Sequence, residues 1–153
     1  MGEFFGSIYC WFEDFFGLDL ANYLWGQTSS TVTTNQFIGI GFTMLAISLA
    51  MVLIYYYAVN HPRLNNWWSW SGFLVLNAVI NFIVGWQWVL VDYRDEESMF
   101  YIDPLTNLSR PLPISESNIL CFGVSNMFLS IIAFIIFSFI VKWWSTNCSR
   151  APF

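Results

Sequence analysis

Charge is what this sequence has least of. Of 153 residues, five are Lys or Arg and ten are Asp or Glu, 10% in all. A soluble domain carries about 25%, so an ordinary water-facing surface is excluded. The net charge of −5 argues against nucleic acid as a partner and against docking on anionic lipid through basic residues. There is one histidine and there are three cysteines, with no Cys-x-x-Cys or His-x-x-x-His spacing. No zinc site and no cofactor are therefore expected. His61 sits beside Pro62 with no carboxylate on its side of the chain, and a general base needs an orienting partner. No residue pattern supports nucleophilic catalysis, and the chain is not expected to be an enzyme. None of the five prolines interrupts a long apolar run, so the broken helices of coupled transporters are not suggested. A basic leader is missing too. Glu3 is the first charge, no short apolar run leads to a small-residue cleavage site, and no secretory signal is expected. Gly2 is present, but Gly6 stands where myristoylation needs Ser or Thr. No repeat appears at periods of 20 to 50 residues.

What is present is apolar and aromatic. The chain is 57% hydrophobic, with a mean hydropathy of +0.56 and nine tryptophans. From Leu64 to Val91 no side chain is charged, and about 20 apolar residues suffice to cross a hydrocarbon core of ~30 Å. Trp67, Trp68 and Trp70 precede this run, and Trp86 and Trp88 close it. Indole favours the headgroup layer, so these clusters mark two interfaces of one bilayer. A second run, 37–59, ends on Tyr55, Tyr56 and Tyr57. A third, 118–144, ends on Lys142, Trp143 and Trp144. The expected fold class is an all-α membrane protein: one membrane domain, 1–153, with three transmembrane helices at 37–59, 67–91 and 118–144.

Residues 3–24 are expected to lie in the membrane interface. Over 3–16, Phe4, Phe5, Ile8, Tyr9, Trp11, Phe12, Phe15 and Phe16 fill one broad helical face. Glu3, Ser7, Cys10, Glu13 and Asp14 fill the other. The segment is too short and too acidic to span, and an amphipathic helix of this kind rests with its aromatic face in the acyl boundary. The acids are unusual for such a helix and suit a face that meets a protein partner or a leaflet poor in anionic lipid. Gly17 ends the helix, and Asp19 is expected to cap a further turn through Tyr23 and Leu24. Gln27 to Gln36 reads as a Ser/Thr-rich linker, and Asn60 to Asn66, with Pro62, as a tight turn. The loop 92–117 contains Asp103-Pro104, a turn starter, between two short extended stretches, so a short β-hairpin is expected there.

With three spans, all ten acids fall on the side of the N-terminal segment and the 92–117 loop. Arg63, Lys142 and Arg150 fall on the other side, on much shorter segments, against Arg94 and Arg110. The positive-inside rule then places the N-terminus outside and the C-terminus in the cytoplasm. Cys10 and Cys121 share the outer side, where a disulfide is conceivable and two buried free thiols are favoured. Asn107-Leu108-Ser109 is a glycosylation sequon on the outer loop. Asp92, Asp95, Glu96 and Glu97 do not match an EF-hand and read as a solvated charged loop.

The sharpest signal lies inside the spans. Asn77, Asn81 and Gly85 are spaced i, i+4, i+8 and share a face. A carboxamide in hydrocarbon is costly unless hydrogen-bonded. Gly39 and Thr43 on the first span, with Ala46 and Ala50, and Gly123, Asn126 and Ser130 on the third, form comparable small or polar stripes. These residues are read as helix–helix contacts or, alternatively, as a pore lining. The function expected from this pattern is a non-enzymatic integral membrane subunit or scaffold, with the lipid bilayer and other membrane subunits or copies of itself as partners. The alternatives are a small channel or pore-forming effector, and an immunity or inhibitor protein against a membrane toxin.

Overall fold

A computed structural model describes residues 2–26, 34–58, 66–95, 99–102 and 108–144. It is mostly helical. Three helices are long and apolar enough to cross a membrane: Gln36–Tyr57, Trp67–Arg94 and Glu116–Trp143. The Ser/Thr-rich linker over 27–33, the turn at His61, the Asp103–Asn107 turn with its sequon, and Cys148 lie outside the described residues.

The N-terminal segment is built of short pieces: α1 (Gly2–Tyr9), a 3-10 turn (Cys10–Phe12), α2 (Glu13–Phe16) and α3 (Leu18–Trp25). Gly17 joins α2 to α3 at φ 97°, a left-handed conformation that costs glycine little. Asp19 does not cap α3. The N-cap is Gly17, with no side-chain bond, and Asp19 is exposed in the first turn, where the helix dipole favours an acid.

The long helices start where the sequence supplies caps. Asn35 accepts from the Phe37 amide at 3.0 Å to open α4 (Gln36–Leu53). Asn66 accepts from the Trp67 amide at 2.8 Å to open α5 (Trp67–Arg94). The third long helix, α6 (Glu116–Trp144), follows Ser115, whose carbonyl accepts from the amides of Asn118 and Ile119. α4 ends in a π-helical turn, Ile54–Ala58. That wider turn carries Tyr55 and Tyr56 inward, where they are buried edge to face at 5.0 Å, and leaves Tyr57 exposed. The expected hairpin is present: β1 (Phe100–Ile102) pairs antiparallel with β2 (Ser109–Pro111), with Tyr101 opposite Arg110.

α5 and α6 form the closest helix pair, and α4 packs mainly on α6. The interior divides into two clusters. One, near the hairpin, gathers Phe5, Tyr9, Phe16, Phe37, Phe122 and their neighbours. The other, at the opposite end, gathers Val52, Tyr55, Tyr56, Trp70, Phe134 and Val141.

The N-terminal segment packs against the long helices. α1 packs along α4 and α2 along α6. Phe5 occupies the space beside Gly41 where a Cβ would otherwise stand, and its ring lies 5.0 Å from that of Phe42. Tyr9 stacks on Phe37 at 5.1 Å and on Phe122 at 5.5 Å. The eight apolar residues expected on one face divide. Phe5, Tyr9 and Phe16 are buried and Ile8 and Phe12 half-buried, while Phe4, Trp11 and Phe15 are exposed. The division follows helical periodicity: Phe5, Tyr9, Phe12 and Phe16, spaced i, i+4, i+7 and i+11, turn toward the bundle, while Phe4, Trp11 and Phe15 lie on the neighbouring stripe.

Candidate functional site

Three asparagines meet where α5 and α6 touch most closely. Asn77 Nδ2 donates to the Ser130 carbonyl at 3.1 Å. Asn81 Nδ2 donates to the Asn77 carbonyl at 3.0 Å and to Asn77 Oδ1 at 3.1 Å. Asn126 Nδ2 donates across the helix pair to the Asn81 carbonyl at 2.7 Å. The chain of bonds then leaves the pair. Tyr9, on α1, donates its hydroxyl to Asn126 Oδ1 at 2.5 Å. Tyr9, Asn77, Asn81, Asn126 and Ser130 all have zero exposure. Burial pushes the Tyr9 phenol above the usual tyrosine range, so the group remains a donor through the physiological range.

Glycine makes the approach possible. A Cβ on Gly85 would lie 2.8 Å from Asn126 Nδ2 and 2.9 Å from Asn126 Cβ. A Cβ on Gly123 would meet the Phe82 carbonyl oxygen at 3.2 Å and Trp86 Cβ at 3.0 Å. Small residues here let side chains on one helix reach the backbone of the other. Asn77, Asn81, Gly85, Gly123, Asn126 and Ser130 therefore form one contact zone.

Gly39 and Thr43 lie elsewhere. Gly39 faces the Trp88 ring so closely that an added Cβ would lie only 3.2 Å from Cζ2, and the Thr43 hydroxyl donates to the Gly39 carbonyl of its own helix at 2.8 Å. Ala46 and Ala50, from the same stripe, are exposed. The buried face of α4 is instead the one bearing Ile40, Met44, Ser48 and Met51.

The tryptophans behave in two ways. Trp67, Trp68 and Trp143 are exposed, Trp143 by 90%, and Trp144 closes α6. Trp70 is a core residue. Its ring packs on Phe134 at 5.9 Å and its Nε1 donates to Ser138 Oγ at 3.4 Å. Its ring lies 5.9 Å from that of Trp67, one turn earlier. Trp86 is half-buried, stacked on Phe82 at 6.2 Å, Trp88 covers Gly39 and is 39% exposed, and Lys142 is half-buried in the last turn of α6.

A second polar joint lies at the hairpin end. Asp92, expected in a solvated loop, is inside α5 and half-buried. Its Oδ2 accepts from Gln36 Nε2 at 2.6 Å and from the Tyr23 hydroxyl at 3.2 Å, so one carboxylate ties together α3, α4 and α5. Tyr9, Tyr23, Gln36 and Ser138 carry contacts that sequence spacing does not single out. The available signal was that Tyr9 holds the one hydroxyl on an otherwise apolar stripe.

The arrangement is suited to holding rather than reacting. Carboxamides and a phenol kept protonated neither exchange protons nor attack at neutral pH. The Cys10 thiol is pushed up by burial, then by the Glu13 charge and its hydrogen bond, the reverse of an activated cysteine. Cys10 and Cys121 are both free thiols. Among the described residues no three metal-ligating side chains cluster. Comparison with protein-family profiles, with curated proteins and with solved structures finds no match to this chain.

Proposed function

We propose that this chain is an integral membrane protein that acts without catalysis, as a subunit or scaffold of a larger membrane assembly. The observation that carries this reading is the buried amide chain, in which Asn81 Oδ1 is left without a partner. Its interhelical bonds run between residues of zero exposure within a single chain, and Tyr9 covers its flank. Polar groups placed this way act as interhelical glue, worth about 0.6–2 kcal/mol per bond in a bilayer. A pore would leave them facing water. The small residues turned outward, Ala46 and Ala50 on α4 and Gly72 on α5, leave room for other helices to approach.

The proposed orientation has the N-terminal segment and the hairpin outside and the C-terminus in the cytoplasm. Two measurements test the proposal. Purification in mild detergent from the native membrane should yield a stoichiometric partner, and the purified chain in liposomes should pass no ions. Ion flux from the pure chain would replace this reading with the channel. For orientation, an impermeant thiol reagent on intact cells should label Thr106→Cys and spare Cys148. The reverse pattern inverts the topology.

A further inference from the structure

Residues 2–16 join the rest of the fold at a single point. Gly17 ends α2 and opens α3, at φ 97°. Its amide donates back to the Glu13 carbonyl at 2.7 Å, and its carbonyl accepts from the Ala21 amide at 3.1 Å. Each helical ladder therefore stops on this residue, and among the described residues no backbone hydrogen bond passes over it. A glycine turns at such a joint with little steric cost. Beyond the joint, α3 has its own anchors. Leu20, Tyr23 and Leu24 are buried, the Tyr23 hydroxyl donates to Asp92, and the Trp25 ring meets that of Phe37 edge to face at 6.0 Å.

Before the joint, little that is polar ties the chain down. Among the described residues, the bond from Tyr9 to Asn126 is the one side-chain hydrogen bond that runs from residues 2–16 to the chain beyond Gly17. The other anchors are apolar: Phe5 on Gly41, Tyr9 against Phe37 and Phe122, and Phe16 edge to face on Phe122 at 5.4 Å. Packing is interrupted beside them. A cavity of about 370 Å³ is lined by Phe4, Ile8 and Trp11 on one side and by Met44, Ile132 and Ile136 on the other. Interiors hold few voids larger than a water molecule, and side chains lining a gap lose the contacts that would fix them.

We propose that residues 2–16 form a strap that opens as a unit about Gly17 while α3 and the three long helices stay packed. Closed, it fills the notch at Gly41 and occupies the acceptor at Asn126. Open, it uncovers both, so the strap governs access to the amide chain from its flank. Segments with one buried polar tie and a void beside them belong to the low-stability end of a fold. The device is a property of the folded chain and does not depend on the subunit reading.

The test is amide hydrogen exchange on the full chain in phosphatidylcholine nanodiscs, with α3 as the internal reference. Amides from Gly6 to Phe16 should exchange at least about tenfold faster than those from Asn22 to Trp25. Tyr9→Phe should speed exchange over Gly6 to Phe16 by a further factor of about ten, the equivalent of one lost hydrogen bond. Exchange in α3 and α6 should not change. Phe5→Ala, which empties the notch at Gly41, should act in the same direction and by a larger factor. If either substitution speeds α3 or α6 as much as α1 and α2, the segment is part of one global unit and the strap does not exist. If exchange over Gly6 to Phe16 is unmoved by both substitutions, the segment is not held by these anchors, and the proposal is equally overturned.

Discussion

The bond between Tyr9 and Asn126 can be weighed by a double-mutant cycle. Asn126→Leu keeps the branched shape of the side chain and removes both of its polar atoms. It deletes the bond to the Asn81 carbonyl and leaves the Tyr9 hydroxyl buried without an acceptor. Interhelical bonds of this type contribute about 0.6–2 kcal/mol, and a stranded buried donor costs a further ~1–3 kcal/mol. The single variant should lose about 2–4 kcal/mol. Tyr9→Phe removes one oxygen and should lose about 1–2 kcal/mol, because Asn126 Oδ1 is then the stranded atom. With both changes neither atom is left stranded. The double variant should thus be more stable than the sum of the two losses implies, by about 1–2 kcal/mol of coupling. Unfolding in mixed micelles, followed by tryptophan fluorescence, supplies all four stabilities. Additivity within about 0.5 kcal/mol would mean that the two side chains do not meet, and the docking of α1 at the amide chain would be wrong.

The helix approach makes a second contrast. Gly85→Ala should destabilise by about 1–3 kcal/mol, since its Cβ would press on Asn126. Gly72→Ala meets nothing within 4 Å and should be neutral or stabilising by up to about 1 kcal/mol; equal effects in a thermal melt would refute the close contact. The tryptophans give a third. Trp70→Ala should cost about 3–5 kcal/mol as a core truncation, while Trp68→Ala, 81% exposed in the chain, should leave detergent stability within about 0.5 kcal/mol. Cys10 gives a fourth, read from the rate of maleimide labelling in a Cys121→Ser, Cys148→Ser background. Because its pKa is raised, its thiolate fraction at pH 8 is below that of a free thiol, so labelling should lag a model thiol and accelerate as pH rises. Glu13→Gln should narrow the lag, and labelling as fast as the model thiol would contradict the raised pKa.

The three long helices were legible because length and the missing charge point the same way. Asn35 and Asn66, read as linker and turn residues, prove to cap α4 and α5. Asn77, Asn81 and Gly85 could be placed on one face because i, i+4 spacing fixes it whatever lies opposite. What lies opposite is a tertiary fact: periodicity put Gly39, Thr43, Ala46 and Ala50 on one stripe of α4, of which Gly39 meets Trp88 of α5 while Ala46 and Ala50 are exposed, and the most buried stripe is that of Ile40, Met44 and Ser48. Trp70 looked like an anchor because indole suits both a headgroup layer and a core with a hydroxyl in reach, and only Ser138 distinguishes them. Asp92 looked like a loop residue because its charge ends the apolar run, although the helix continues to Arg94. The N-terminal segment was the hardest. An aromatic face half the circumference wide does not say which of its stripes will be buried, and the choice of Phe5, Tyr9, Phe12 and Phe16 is made by what α4 and α6 offer opposite.

The separation in sequence of Tyr9 and Asn126, 117 residues, has a consequence for biogenesis. α1 leaves the ribosome well before the side chain it seats against. At about 5–20 residues per second, the segment waits roughly 6–25 s with its aromatic residues and its acids unhoused. During that wait Asn126 is not there to accept from Tyr9, so the segment stays unseated. Slowing translation between Asp92 and Asn126 should lengthen the protease-sensitive lifetime of residues 3–20 without changing the final fold.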